Sequence, residues 1–217
     1  HGYGGKAYRC FYTNEKYYLI WIDQRTKSLW IQIYENNKSN DDDQNFLISQ
    51  ITPKRLTKSL KGNFDASFVL FQETMLFGLL EKDERDYLFS LNINQYQQEI
   101  KILKRVDGFA SSLSSNEDQT FISWIEWKTS DMCWDNNYLF FAEINIDGHL
   151  QKEVKFKSEI INSQKLVSFF QPFWISRNIL ICSEDSSGWW NLLVLEINNL
   201  EDITIKKRIK KEYFEYG

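Results

Sequence analysis

Four groups of short apolar runs, alternation of large apolar with polar residues inside them, and a near absence of helical periodicity predict an all-β protein. Each group contains an apolar strand, a turn rich in Asp, Glu, Ser or Asn, and a second, alternating strand that opens on a large residue such as Leu or Trp. The groups recur every ~50 residues, the spacing of propeller blades. The expected fold is therefore a β-propeller fragment of about four four-stranded antiparallel blades.

The first group pairs Tyr17–Ile22 with Leu29–Tyr34 across a turn from Asp23 to Ser28. The second pairs Met75–Leu80 with Tyr87–Ile93 across the acidic turn from Glu81 to Asp86. The third runs from Phe121 to Ile125, crosses a longer loop to Asp135 and resumes at Tyr138–Ile144; the fourth pairs Asn178–Ser183 with Trp189–Leu195. Weaker strands flank each hairpin. One precedes it, at 5–11, 64–70, 109–113 and 168–174, and one follows it, at 46–51, 99–103, 150–156 and 203–209. One partial propeller over 1–217 is the expectation, with blades near 5–55, 63–105, 108–158 and 166–210, and 211–217 opening a further blade. A closed four-bladed ring is the competing possibility. In a fragment of a larger ring, Tyr8 to Phe11 and Tyr213 to Tyr216 mark cut edges through which it is expected to pair with a second copy.

Composition agrees with β structure. The 217 residues are 16% aromatic with 9 Gly and 2 Pro, and large rings suit half-buried pleated surfaces. A net charge of -4 supplies no positive field for a phosphate backbone, so nucleic acid is not an expected partner. The basic run Lys206 to Lys211 fits an outer strand whose charges face water, given Ile203, Ile205 and Ile209 beside it. Apolar stretches such as Tyr17–Ile22 and Leu192–Leu195 fall far short of the ~20 residues that cross a bilayer, so no membrane partner is expected, and a cytoplasmic location is. The start at His1 without Met suggests that something upstream has been removed. Cys10, Cys133 and Cys182 lie far apart in or beside apolar runs and read as buried free thiols without zinc-like spacing.

Three stretches carry a family likeness. His1 Gly2 Tyr3 Gly4 Gly5 Lys6 Ala7 Tyr8 Arg9 resembles a His-Glu-Tyr-Gly-Gly-Gly-Ala-Tyr-Arg segment of bacterial prolyl-oligopeptidase-like enzymes, a group often labelled dipeptidyl or acylaminoacyl peptidases. Trp124 to Trp127 and Asp131 Met132 Cys133 Trp134 Asp135 resemble that group's Trp-x-x-Trp and Asn-Met-Pro-Trp-Asp pattern. Phe170 Gln171 Pro172 Phe173 Trp174, followed by Ser183 to Leu192, is similar to its Phe-Gln-Pro-x-Trp and Ser-Asp-x-x-Gly-Trp-Trp-Asn-Leu signature. The departures are Gly2 for Glu, Cys133 for Pro, and Ser-Pro-Asp-Gly turns reduced to Ser115 Asn116 Glu117 Asp118 and Ser176 Arg177 Asn178. The resemblance implies a two-domain serine peptidase in which a propeller, commonly of seven blades, caps an α/β-hydrolase domain. That domain of the same parent chain, C-terminal to Gly217, and peptide substrates are the implied partners.

No catalytic residue is expected in the chain itself. A hydrolase nucleophile sits on a Gly-x-Ser-x-Gly elbow, and no Gly-x-Ser occurs. Of the two histidines, His1 is terminal and His149 follows the turn dipeptide Asp147 Gly148. The clusters Asp41 to Asp43 and Glu81 to Asp86 lack the ligand spacing of calcium loops and read as solvated, so neither metal nor cofactor is expected. Candidate loop or substrate-passage contacts are Asp131, Trp134, Asp135, Trp189 and Trp190. The tryptophans are expected mainly to fill blade interfaces, with the rings of Trp189 and Trp190 on opposite faces. The leading expectation is a non-catalytic propeller portion that caps a peptidase active site and restricts it to short peptides. Alternatives are a stand-alone propeller that binds proteins or small molecules, and a propeller glycosidase, which requires paired carboxylates at a central pocket.

Overall fold

A computed structural model of the chain describes residues 7–37, 47–50, 52–145, 147–156 and 167–209, and within them every helical or extended element is a β-strand. The first sheet contains β1 (Tyr8–Thr13), β2 (Lys16–Asp23), β3 (Ser28–Asn37) and β4 (Leu47–Gln50), with the short β5 (Lys54–Arg55) also paired to β3. The second contains β6 (Asn63–Phe71), β7 (Met75–Lys82), β8 (Arg85–Asn92) and β9 (Lys101–Arg105). The third is built from β10 (Phe109–Ser115), β11 (Phe121–Trp127), β12 (Tyr138–Ile144) and β13 (Leu150–Lys155), and the fourth from β14 (Phe169–Trp174), β15 (Ile179–Glu184), β16 (Asn191–Asn199) and β17 (Asp202–Ile209). Each sheet is an antiparallel meander in sequence order, so each blade is one contiguous stretch of chain. The all-β propeller expectation holds; β5 was not foreseen. His1, the first six residues of the His1–Arg9 motif, Asp41 to Asp43 and residues 211–217 lie outside the described residues.

A chain poor in glycine needs other residues for its hairpins. Asn14 and Glu15 (φ 46° and 61°) and Asp83 and Glu84 (φ 51° and 60°) take left-handed angles in the two-residue turns β1–β2 and β7–β8, the geometry that matches strand twist. Glycine is required at Gly108, where φ is +133° and an added Cβ would lie 2.1 Å from the Trp127 carbonyl oxygen.

Among the described residues the core is three apolar slabs, one between each pair of successive sheets. Tyr18, Ile20, Ile22, Leu29 and Ile31 of the first sheet pack on Phe64, Phe68, Leu80 and Phe89 of the second. The opposite face of that sheet, with Phe77, Leu79 and Leu88, packs on Ile122, Trp124 and Ala142. Ile125, Trp127, Leu139 and Phe141 then meet Trp174, Leu180, Leu193 and Leu195. The inner sheets are apolar on both faces, which explains runs such as Met75–Leu80 that lack alternation. The first strands β1, β6, β10 and β14 contact one another in that order, so the sheets stand in a row about a common side. Among the described residues no buried cluster joins the first sheet to the fourth.

Polar bonds lace the row at both rims. At one rim, Glu73 of the β6–β7 turn accepts from the Thr13 hydroxyl (2.7 Å), the Asn14 amide and the Tyr18 hydroxyl (3.2 Å). Burial, with the Glu73 charge, pushes the Tyr18 phenol up to about 12. Gln119 bonds the Gln72 amide (2.7 Å) and the Leu70 carbonyl (3.1 Å). Asn116 donates to the Arg177 carbonyl (2.7 Å), while Arg177 pairs with Asp118 (2.6 Å), so the two reduced Ser-Pro-Asp-Gly turns meet. At the other rim the Ala110 amide donates to Asp86 (2.6 Å), and Asn137 both accepts from the Phe169 amide (2.7 Å) and donates to its carbonyl (2.9 Å). On the outer side Lys104 of β9 reaches Glu126 (2.5 Å) and Glu153 (2.6 Å) of the third sheet, over the rings of Trp124 and Phe140.

Two expectations are corrected here. Cys182 is buried, but Cys133 is half-buried and Cys10 exposed, because Cys10 shares the face of β1 that points away from the second sheet. Asp86 is not part of a solvated turn: it is fully buried, since β8 begins at Arg85 and turns the next side chain toward the third sheet.

Burial pushes the Asp86 carboxyl up to about 7, and Glu81 and Asp65 add to the rise. The proton is thus held more tightly folded than unfolded. The stabilisation is complete below the unfolded value of ~3.9 and is lost as the pH rises through about 7. Asp86→Asn keeps an acceptor for the Ala110 amide and removes the charge. In urea unfolding between about pH 5 and pH 8, the variant should lack this decline and exceed the parent by ~2 kcal/mol at the upper end. Trp174 stacks on Phe121 at 6.2 Å, meets Phe141 edge-on at 5.9 Å and donates to Ser123 at 3.0 Å. Trp174→Ala should cost ~3–5 kcal/mol in the same measurement.

Candidate functional site

The four first strands converge on a cleft of about 570 Å³. Its walls include Arg9 of β1, Asp65 and Ser67 of β6, Ser111 to Ser114 of β10, and Phe169 to Phe173 of β14. Three of these strands carry a register break at the cleft: Asp65/Val69 in β6, Ser111/Ser114 in β10 and Phe170/Phe173 in β14. At two of the breaks a non-glycine residue is left-handed, Ser112 (φ 61°) and Gln171 (φ 49°). Bulges take peptide groups out of the ladder and re-aim side chains. Here the serines use that freedom to tie neighbouring blades together. The Leu113 amide donates to the Ser67 hydroxyl (3.2 Å), and the Ser114 hydroxyl reaches the Pro172 carbonyl (3.2 Å).

The cleft offers hydroxyls and peptide groups, with the Arg9 guanidinium and the Asp65 carboxylate, which accepts from the Ser67 amide (2.7 Å). No histidine lines the cleft. The Ser111 hydroxyl bonds that of Ser112 (3.3 Å), and the Ser114 hydroxyl bonds that of Ser123 (2.9 Å), so none of these is paired to a base. Cys133 stands at the cleft margin, where burial raises its thiol above the ordinary range, the wrong direction for a nucleophile. His149 is exposed in the β12–β13 turn, with Asn145 holding its amide (2.8 Å). No cluster of three or more metal-binding side chains exists among the described residues.

The five residues singled out in the sequence lie at the rim where second strands turn into third strands. None lines the cleft. Asp131 accepts from the Ser130 hydroxyl (3.0 Å) and Asp135 from the Met132 amide (3.3 Å), so both carboxylates brace the 128–137 loop. Trp134 is 51% and Trp189 45% exposed. The loop and the β15–β16 turn meet over one segment, since Asn137 holds Phe169 and Asp185 accepts from the Ser168 amide (2.8 Å). Trp189 and Trp190 precede β16 instead of starting it, so neither enters an occupied interface. Trp190, in line with Leu192, packs edge-on against Phe170 at 6.2 Å on the outer face of the fourth sheet. Trp124, Trp127 and Trp174 do fill interfaces.

Sequence reasoning missed the cleft serines and the pair Asp86 and Asn137. One signal was present: each of the latter stands two residues before a leucine, Leu88 or Leu139, that faces the following blade.

No family model and no curated protein matches the chain. Solved structures do. A Mycobacterium tuberculosis puromycin-hydrolyzing peptidase matches with a TM-score of 0.68 and 17% identity over 94% of this chain and 31% of that one. A puromycin hydrolase matches with a TM-score of 0.65 over the same shares, again at 17% identity. Prolyl oligopeptidase B from Galerina marginata matches with a TM-score of 0.50 and 10% identity over 91% of this chain and 28% of that one. The chain thus spans about a third of the length of these peptidases. At such identities the likeness speaks to fold, and the fold is that of a four-blade stretch of propeller found in peptidases of the puromycin-hydrolysing and prolyl oligopeptidase type.

Proposed function

We propose that this chain is the non-catalytic propeller part of a serine peptidase of the prolyl oligopeptidase family, which caps the active site of an α/β-hydrolase domain in the same polypeptide and admits short peptides. The observation that carries the reading is the cleft shared by four first strands. It is lined by hydroxyls, amides and aromatic rings, with Arg9 and Asp65 as its charged members and no histidine, a surface that suits contact with peptide groups. The three motifs and the fold likeness support the family. The fraction of the peptidases spanned by the chain supports a catalytic domain elsewhere. The rim residues Met132, Trp134 and Trp189 favour a second reading, a stand-alone binding module, because exposed apolar side chains at a loop rim suit a protein partner.

Sequencing of the transcript past Gly217, with expression of the extended polypeptide, separates the two. The peptidase reading expects a Gly-x-Ser-x-Gly elbow downstream. It also expects fluorophosphonate labelling of the extended form alone, and faster cleavage of short peptide p-nitroanilides than of peptides of ~30 residues. Labelling of the 217-residue chain itself, or a downstream frame without the elbow, rejects it.

A further inference from the structure

One position recurs in all four blades, four residues after the third-strand leucine that faces onward along the row: Ile33 after Leu29, Asn92 after Leu88, Glu143 after Leu139 and Glu196 after Leu192. Three of these side chains are accounted for. Ile33 packs into the first apolar slab, Asn92 accepts from the Asn94 amide (2.9 Å), and Glu196 accepts from the Lys206 ammonium group (2.9 Å). Glu143 is half-buried, and among the described residues no hydrogen bond or ion pair holds its carboxylate. A carboxylate drawn partly out of water gains from a counter-charge, and here the described residues supply none.

Glu143 lines a cavity of about 340 Å³ between the third and fourth sheets, on the rim where the two reduced turns meet. Its apolar walls are Phe121, Ile144 and Ile197. Its polar walls offer acceptors. Asn198 gives its amide N–H to Asp202 (2.8 Å), which leaves its side-chain oxygen to the cavity, and the Gln151 amide is bonded to no described residue. Arg177 is the cation of the lining, but Asp118 neutralises it at 2.6 Å, so the charge of Glu143 stays uncompensated.

We propose that this cavity between the third and fourth blades binds an organic cation, an alkylammonium group on a short apolar stem, with Glu143 as its counter-charge. An ammonium group carries three donors, and the Glu143 carboxylate with the Gln151 and Asn198 oxygens supplies three acceptors. The methylene stem lies against Ile144, Ile197 and Phe121. A metal ion fits the lining less well, because hard cations gather several oxygen ligands and among the described residues no group of three metal-binding side chains forms. A free diamine and the lysine side chain of a peptide share this chemistry. The inference goes beyond the peptidase reading and stands whether or not that reading survives.

The test titrates the whole 217-residue chain, isotope-labelled in nitrogen, with cadaverine and separately with Nα-acetyl-lysine N-methylamide, pentanol and ammonium chloride at neutral pH, and follows the amide resonances. Saturable shifts of the Gln151 and Asn198 side-chain amides are expected at about millimolar cadaverine. Glu143→Gln should weaken this binding about tenfold, and Gln151→Ala, read on Asn198, about threefold. Unchanged backbone resonances of Leu139 and Leu193 report that the two sheets are still stacked. Gln151 is exposed, so its truncation leaves the fold intact and decides the matter should Glu143→Gln fail to fold. Tighter binding of cadaverine supports the proposal with a free diamine as the source, and equal or tighter binding of the lysine amide supports it with a peptide side chain. No saturable shift, an affinity unmoved by Gln151→Ala or by Glu143→Gln in a folded chain, or equal shifts from pentanol or ammonium chloride would overturn it.

Discussion

The architecture depends on burial between sheets rather than within them. Each blade is a single layer with no interior, so it removes apolar area from water only by laying a face against a neighbour. Among the described residues the three slabs around Ile20, Phe77 and Leu193 are therefore the core, and each blade draws its burial from the adjacent one. Nearest-neighbour dependence of this kind is the energetic pattern of repeat proteins. It also accounts for the apolar faces left at the two ends of the row, where Tyr8, Tyr12, Phe170 and Phe173 stay in water.

Apolar burial sets no angle between neighbours, so the polar laces matter out of proportion to their number. Glu73, Gln119 and Arg177 fix the spacing at one rim, and Asp86 and Asn137 at the other. Serines 67 and 114 do so beside the cleft. Their partners are largely backbone groups, whose positions are set by the ladders, so a side-chain bond to them places one sheet against the next within a few tenths of an ångström. The buried Asp86 is the costly member of the set. Its charge has left water, and the carboxyl responds by holding its proton.

Function follows from what converges and what does not. Bulges in β6, β10 and β14 gather serines and irregular peptide groups at one cleft, while the loop residues of the second matched motif, Asp131, Trp134 and Asp135, remain on a rim. The two carboxylates in that loop spend their hydrogen-bonding capacity on loop geometry. The conspicuous tryptophans divide by the same logic: those inside strands β11 and β14 are packed, Trp134 and Trp189 outside strands are exposed, and Trp190 is half-buried against Phe170.

Strand identity, strand order and the blade repeat were legible in the sequence, because they arise from local alternation and from turn residues next to each other in the chain. The same locality made the runs from Leu29 to Tyr34 and from Leu192 to Leu195 readable as strands without knowledge of their neighbours. Which face of a strand meets another sheet is not local. A one-residue offset moves a side chain from an interface to solvent, and the presence of a neighbouring sheet separates Cys182, buried against the third sheet, from exposed Cys10, whose face of β1 points away from the second. It also places Asp86 in the interior although its sequence neighbourhood is acidic and turn-like. The cleft belongs to the tertiary structure alone, since its walls come from four blades spread along the chain and become neighbours only when the sheets stack.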